Sequence, residues 1–78
     1  RLSILAPKKP QKWTVNDVAG YVRRLPGYAQ YADQFRHQLI DGKALFLLNE
    51  QHLMEFMGMK LGPALKMCKM IKVMEKKK

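Results

Sequence analysis

The apolar positions of the chain follow a helical period, and the first such stretch covers residues 15–25. It predicts a helix from about Val15 to Arg24. Thr14, with Asp17 three residues later, is typical of a capping box at the start of a helix. Pro26 and Gly27 then end it, because proline disfavours the helical conformation in its predecessor and glycine permits a sharp turn. The residues predicted to face inward are Val15, Val18, Tyr21, Val22 and Leu25.

The middle of the chain predicts three shorter helices. The first extends from about Tyr28 to Gln38 and buries parts of Tyr28, Tyr31, Ala32 and Phe35. Asp41-Gly42 suits a tight turn, in which Asp41 caps a short helix over Lys43 to Leu47. Asn49 is the candidate cap of the next helix, which runs through about Phe56 and ends at Gly58.

The fifth predicted helix runs from Leu61 to about Lys76, with Pro63 in its first turn, where the missing N–H costs nothing. Its pattern is strongly amphipathic, since apolar residues and lysines occupy opposite halves of the helical wheel. The apolar half comprises Leu61, Ala64, Met67, Cys68, Met70, Ile71 and Met74. Leu65 and Val73 fall among the lysines, as candidates for an exposed contact or as ordinary surface residues. The whole pattern predicts an all-α, five-helix bundle with a long C-terminal helix.

Charge is concentrated at the two ends of the predicted domain. Residues 1–12 carry four basic residues and two prolines, and are predicted to be a flexible basic linker, while the domain covers residues 13–76 and residues 77–78 form a basic tail. Residues 13–59 hold four bases against five acids, whereas seven lysines face one glutamate from residue 60 onward. A basic C-terminal element and an acid-bearing middle are complementary in charge and can steer contacts between copies of the chain. The alternative is that the lysines simply keep a short chain soluble.

Several functional classes have little support in this composition. A chain of 78 residues buries only about 60% of its unfolded surface and has little room for an active-site cavity. Ser3 and Thr14 are the only serine and threonine, and Cys68 falls on the apolar stripe, so we predict no catalytic residue. His37 and His52 have no cluster of further ligands around them, so no metal or cofactor is expected. The lone cysteine and the lack of an apolar run of about 18 residues predict a soluble, intracellular protein with no membrane association.

Three blocks carry a resemblance to a known family. They are WTVNDV at residues 13–18, LIDGKALFLL at residues 39–48 and MGMKLGPALK at residues 57–66. In this order and at these separations they resemble a sterile alpha motif (SAM) domain over nearly everything from Trp13 onward. The last block is most similar to the SAM domains of Polycomb-group and malignant-brain-tumour-repeat chromatin proteins, of the polyhomeotic and Sex comb on midleg type.

That resemblance implies a five-helix bundle with two partner-binding faces, of which one, the end-helix surface, docks on the other, the mid-loop surface, of a neighbour. Carried over by motif, the end-helix surface comprises Met59, Lys60, Leu61, Gly62, Pro63, Leu65 and Lys66. The mid-loop surface comprises Asp33, Asp41, Phe46, Leu48, Glu50, Met54 and Glu55. Lys43, Asn49 and Gln51 stand where some relatives carry more glutamate, so heterotypic pairing or capping of another protein's polymer is an alternative to long filaments.

The resemblance therefore implies a non-enzymatic protein–protein interaction module. It would mediate head-to-tail homo- or hetero-association of SAM domains in a nuclear, chromatin-associated transcriptional repressor. The alternative is a SAM domain that binds RNA or another nucleic acid through the basic last helix, because one branch of the family does so. Against this, an arginine is missing soon after Gly62 and aromatic residues are sparse on the basic face. Weak contact between the lysines and nucleic acid remains an independent expectation.

Overall fold

All five predicted helices are present in the structure, a computed structural model that describes residues 9–76. They are α1 (Val15–Arg24), α2 (Ala32–His37), α3 (Gly42–Leu45), α4 (Glu50–Met57) and α5 (Leu61–Lys76). Short 3₁₀ turns at Pro10–Lys12 and Ala29–Tyr31 precede α1 and α2, and residues 9–76 contain no strand. The predicted all-α class with a long last helix is confirmed.

Local capping sets the bounds of α1 and α4. Thr14 Oγ1 accepts the Asp17 N–H at 3.1 Å, and the Asp17 carboxylate accepts the Thr14 N–H at 3.0 Å, which completes the predicted capping box. Asn49 caps α4 in the same way: its side chain accepts the His52 N–H, and His52 Nδ1 accepts the Asn49 N–H. Gly58 ends α4 in the left-handed conformation, with φ of 75°. These ends lie where the sequence placed them because each cap acts within three residues.

The second predicted helix, Tyr28 to Gln38, is divided in the structure. A 3₁₀ turn occupies its start, where the Tyr31 N–H donates to the Tyr28 carbonyl, and α2 proper covers only six residues.

The third helix, α3, ends at Leu45 and not at Leu47. The N–H groups of Leu47 and Leu48 donate to carbonyls three residues back, so the chain tightens into turns.

The core lies where the apolar stripes of α1, α2, α4 and α5 meet. Its fully buried large side chains are Val18, Val22, Phe35, Leu45, Leu53 and Met67. α1 packs mainly on α2, and α4 packs on α5. Trp13, Tyr21 and Leu25 cover this core from its edge. The helical period therefore identified most of the buried residues correctly.

The last residues of the segment before α1 pack on the rest of the domain. Pro10–Lys12 forms a turn that packs on α3 and α5, and the Gly42 N–H donates to the Trp13 carbonyl at 2.8 Å. A Cβ at Gly42 would overlap the Pro10 carbonyl oxygen and lie 2.9 Å from the Trp13 nitrogen. Gly42 is the first residue of α3, and its lack of a Cβ lets the backbone of residues 10–13 approach closely. This close approach, and not the predicted tight turn, accounts for the glycine. The rest of the predicted linker, residues 1–8, and the tail at residues 77–78 lie outside the described residues.

Leu39 follows α2 in the left-handed conformation, with φ of 56°. Its N–H donates to the Arg36 carbonyl and the Ile40 N–H donates to the Phe35 carbonyl, which is the Schellman pattern usually completed by glycine. The Leu39 side chain is 72% exposed, so little packing compensates for the backbone strain.

We therefore expect Leu39→Gly to raise the free energy of unfolding by about 0.5–1 kcal/mol, because glycine adopts positive φ without a Cβ penalty. Urea unfolding followed by circular dichroism measures this change. The matched control is Gln38→Gly, since Gln38 is also exposed but has φ of −87°, and there glycine should lower stability. A loss of stability in Leu39→Gly would instead show that the leucine side chain makes a stabilising contact.

Candidate partner-binding surfaces

The corner between α4 and α5 is anchored to the core by two hydrogen bonds. After Gly58 reverses the chain, the Met59 N–H donates to the Leu53 carbonyl at 3.2 Å. The Tyr28 hydroxyl donates to the Pro63 carbonyl at 2.8 Å, and burial is the main reason that its pKa is raised. A residue 35 positions away in the sequence thus fixes the first turn of α5. The corner projects as a preformed shape and needs little ordering when a partner binds.

Most residues predicted for the end-helix surface are accessible at this corner. Leu61 is 56% exposed and Leu65 is 48% exposed, with Pro63 half-buried beside them. Lys60, Gly62 and Lys66 are also exposed. Met59 is the exception, because its side chain is only 3% exposed and belongs to the hydrophobic core. Met59 therefore contributes no accessible side chain to the corner in this structure, and Leu61 lies on the surface although its wheel position favoured the core.

The exposed corner, comprising Lys60, Leu61, Gly62, Leu65 and Lys66, combines positive charge with apolar side chains. The first N–H groups of a helix have no partner within it and carry the positive end of its dipole, which the two lysines reinforce. A Cβ at Gly62 would meet nothing within 4 Å, so packing within the chain does not require glycine there. The corner suits a partner that presents an apolar recess near carboxylates.

The four acids predicted for the mid-loop surface differ in how far each is engaged within the chain. Asp33 pairs with Arg23 at 3.3 Å and with Arg36 at 3.4 Å. Asp41 accepts the Ala44 N–H at 3.0 Å and so caps α3. Such hydrogen bonds and ion pairs leave less of these carboxylates for a partner.

The other two acids, Glu50 and Glu55, lie on different sides of α4. Glu50 is half-buried and lines a groove beside α5, together with Lys72 and Lys76. Glu55 is exposed and accepts a hydrogen bond from Gln51 Nε2 at 3.0 Å. Among the four predicted mid-loop acids, Glu55 is therefore exposed and contacts a neutral glutamine, whereas Asp33 pairs with arginines, Asp41 caps α3 and Glu50 is half-buried.

An apolar groove opens between α3 and α4, and we call it the mid-loop groove. It has a volume of about 240 Å³. Its lining consists of Gln38, Ile40, Ala44, Leu47, Leu48, His52, Phe56 and Met57. Leu47 is 77% exposed and Phe56 is 51% exposed, which is unusual for such large apolar side chains grouped around one groove. This part of the surface is mainly apolar, whereas the resemblance implied acids beside apolar residues.

The apolar residues predicted for the mid-loop surface occupy different positions around this groove. Leu48 lines it and is half-buried, whereas Phe46 is half-buried against the core and is not among the lining residues. Met54 is 40% exposed and also lies outside the lining. Leu47 and Phe56 were missed by the sequence reasoning. The run Phe46-Leu47-Leu48 carried a signal for Leu47, because three consecutive apolar residues in a helical turn cannot all face one core.

Groups capable of catalysis are sparse in the part of the chain that the structure describes. No cluster of three or more His, Cys, Asp or Glu side chains that could hold a metal ion occurs within residues 9–76. Cys68 is 5% exposed, and burial, followed by the nearby Glu50 charge, raises the pKa of its thiol above the usual value. The thiol therefore stays protonated at neutral pH and is a poor nucleophile. Across the same residues, every helix is too short or too polar to cross a bilayer.

Comparisons with known proteins agree on one family. The sequence model of the SAM domain (sterile alpha motif) matches residues 11–75. The chain is 56% identical over 64 residues to polyhomeotic-like protein 3 of Mus musculus. The matched stretch is 82% of this chain but only 6% of that relative. It is 59% identical over 54 residues to the polyhomeotic-proximal chromatin protein of Drosophila melanogaster, covering 69% of the chain and 3% of the relative. A solved hetero SAM domain structure of Ph and Scm matches with a TM-score of 0.78 and 48% identity, over 82% of this chain and 97% of that one.

Proposed function

Since the chain belongs to the sterile alpha motif family, we propose that it is an interaction module that joins head to tail with SAM domains of the same or related proteins. The exposed corner of one domain acts as the plug, and the mid-loop groove of the next domain acts as the socket. The two surfaces differ, so each contact leaves one plug and one socket free for further domains.

The observation that carries this proposal is the presence of both complementary surfaces on one rigid bundle. Leu61 and Leu65 project from the corner, and the mid-loop groove offers about 240 Å³ lined largely by apolar side chains. A cavity of about 150 Å³ already holds a benzene ring, so a leucine side chain fits in the groove. Burying it removes apolar surface from water on both partners, which is the main source of affinity in such contacts.

Charge has a smaller part in the contact. Lys60 and Lys66 flank the plug, whereas the exposed Glu55 lies on α4, the helix that contributes Phe56 to the groove. With Asp33 and Asp41 engaged inside their own chain, charge pairing steers the encounter and sets its orientation more than it adds affinity. Association should therefore persist at moderate salt, because buried apolar area is less sensitive to screening than exposed ion pairs.

The relatives support both the partner class and the setting. The solved structure of Ph and Scm is a hetero SAM complex, so a SAM domain that is similar to this one pairs with a different SAM domain. The Drosophila relative is named a chromatin protein. We infer that this domain links copies of its parent, or joins the parent to another SAM protein, in a nuclear chromatin-associated repressor.

A mixing experiment tests the plug and socket directly. Leu61→Arg places a charge on the plug and Leu47→Arg places one at the socket, and both positions are exposed enough to leave the fold intact. We expect each variant alone to lose self-association, and an equimolar mixture of the two to form one-to-one dimers through the remaining intact plug and socket. Sedimentation velocity at two protein concentrations distinguishes monomer, dimer and larger assemblies.

Val73→Arg is the matched control, because it makes the same change at a residue that is 47% exposed on α5 and lies twelve residues, about 18 Å along the helix axis, from Leu61. It should associate like the unmodified chain. The same series is titrated with the Ph SAM domain to detect heterotypic pairing. Failure of the unmodified chain to bind either itself or that domain, combined with tight binding of an RNA hairpin at physiological salt, would overturn the proposal in favour of nucleic-acid recognition.

A further inference from the structure

The outward side of the C-terminal half of α5 carries apolar surface that neither the plug nor the socket uses. Val73 is 47% exposed and forms, with Lys69, a ridge between two adjacent grooves. The groove on one side has a volume of about 350 Å³ and is lined also by Glu50, Leu65, Cys68, Lys72 and Lys76. The groove on the other side has a volume of about 290 Å³ and is lined also by Tyr21, Met70 and Met74. We call this ridge with its two grooves the α5 outer face.

The apolar part of the α5 outer face is long enough for a helix to lie along it. Leu65 and Val73 are eight residues apart, which corresponds to about 12 Å along the α5 axis. Met70 and Met74 are half-buried beside them and add flexible apolar surface, a property common in surfaces that accept helices. An amphipathic helix with its own apolar stripe fits such a ridge between grooves.

The positive charge on this face favours an occupant that is negatively charged. Lys69, Lys72 and Lys76 are exposed along the apolar strip, and Glu50 and Glu75 are the acidic residues near it. The same lysine-rich face of a second copy would meet repulsion here. An occupant rich in Asp or Glu would instead place its carboxylates against the three lysines.

The same features favour a protein partner over a nucleic acid. Phosphates gain nothing from Val73, Met70 and Met74, so a nucleic acid would leave the apolar part of this face unused. Base stacking needs accessible aromatic faces, but the ring of Tyr21 is half-buried and packs against Trp13 with centroids 5.1 Å apart.

We propose that the α5 outer face is a third docking surface, which binds an acidic amphipathic helix of another protein with aliphatic residues against Val73 and carboxylates against Lys69, Lys72 and Lys76. Leu65 is the one residue that this surface shares with the plug, whereas Val73 and the three lysines lie beyond it. A domain joined to other SAM domains through Leu61 therefore keeps most of this surface for such a helix.

A synthetic helical peptide tests this proposal. The probe is about 20 residues long, with leucines on one face and glutamates on both flanks. Fluorescence anisotropy gives its affinity, and backbone amide shifts of the ¹⁵N-labelled chain should locate it along residues 65–76. We expect Val73→Asp and Lys72→Glu each to weaken binding about tenfold, and binding to weaken as salt is raised. Lys43→Glu is the matched control, because it makes the same charge change on α3 and should leave binding unaltered.

Two further probes separate the contributions. A peptide in which glutamine replaces every glutamate tests the contribution of charge. A peptide in which serine replaces every leucine tests the contribution of the apolar strip. Both should bind at least about tenfold more weakly than the original peptide. Equal losses in Lys72→Glu and Lys43→Glu would overturn the proposal, and so would amide shifts centred away from α5, Tyr21 and Glu50. An RNA hairpin that binds more tightly than the peptide and is unaffected by Val73→Asp would also overturn it. Leu61→Arg should bind the peptide normally, so this test is independent of SAM–SAM association.

Discussion

Gly42→Ala should lower the free energy of unfolding by about 2–3 kcal/mol, because the added methyl group meets the backbone and not a flexible side chain. Its Cβ would overlap the Pro10 carbonyl oxygen and crowd the Trp13 nitrogen at 2.9 Å. Relief requires the turn at Pro10–Lys12 to move away from α3. That movement stretches the hydrogen bond from the Gly42 N–H to the Trp13 carbonyl and loosens the packing of Trp13 on Tyr21.

Urea unfolding measures the change in the free energy of unfolding. Trp13 is the only tryptophan, so its fluorescence reports on the environment of the segment before α1. Gly62→Ala is the matched control, since a Cβ there meets nothing within 4 Å, and alanine should preserve or slightly raise stability. Natural domains are stable by only about 5–15 kcal/mol, so the expected loss at Gly42 is a large fraction of the total. A Gly42→Ala chain as stable as Gly62→Ala would show that the segment before α1 contributes little to the fold.

Met59→Ala should lower the free energy of unfolding by about 2–5 kcal/mol, although the sequence placed Met59 on the partner-binding surface. The side chain is 3% exposed and belongs to the same core cluster as Leu53 and Met67. Truncation leaves a cavity that the surrounding helices fill only in part. It also weakens the anchor beside the corner, because the Met59 N–H holds the chain to the Leu53 carbonyl.

The comparison with Leu61→Ala makes this test specific. Leu61 is two residues away and 56% exposed, so its truncation should change stability by less than about 0.5 kcal/mol while weakening association. Thermal unfolding and sedimentation velocity together distinguish the two roles. Equal stabilities for the two variants would place Met59 on the surface and would restore it to the plug.

The surface of the proposed plug was predictable from the sequence to a greater extent than that of the proposed socket. The plug comes from one continuous run, in which Gly62-Pro63 fixes a helix start and the flanking lysines fix its charge. The socket is assembled from the end of α2, from α3 and from α4, so its shape depends on how these elements pack. Residue type suggested acids there, but Asp33 and Asp41 find partners inside the chain. Leu47 and Phe56 are the side chains that the packing leaves exposed.

The sequence by itself determined the number and order of the helices and the places where α1, α4 and α5 begin. These features depend on interactions within one or two helical turns: the apolar period, the boxes at Thr14 and Asn49, and the left-handed Gly58. Only the tertiary structure decided that Met59 is buried, that Gly42 meets Pro10, and that two grooves flank Val73. Each of these involves residues distant in the sequence, and their contacts are set by the positions of whole helices.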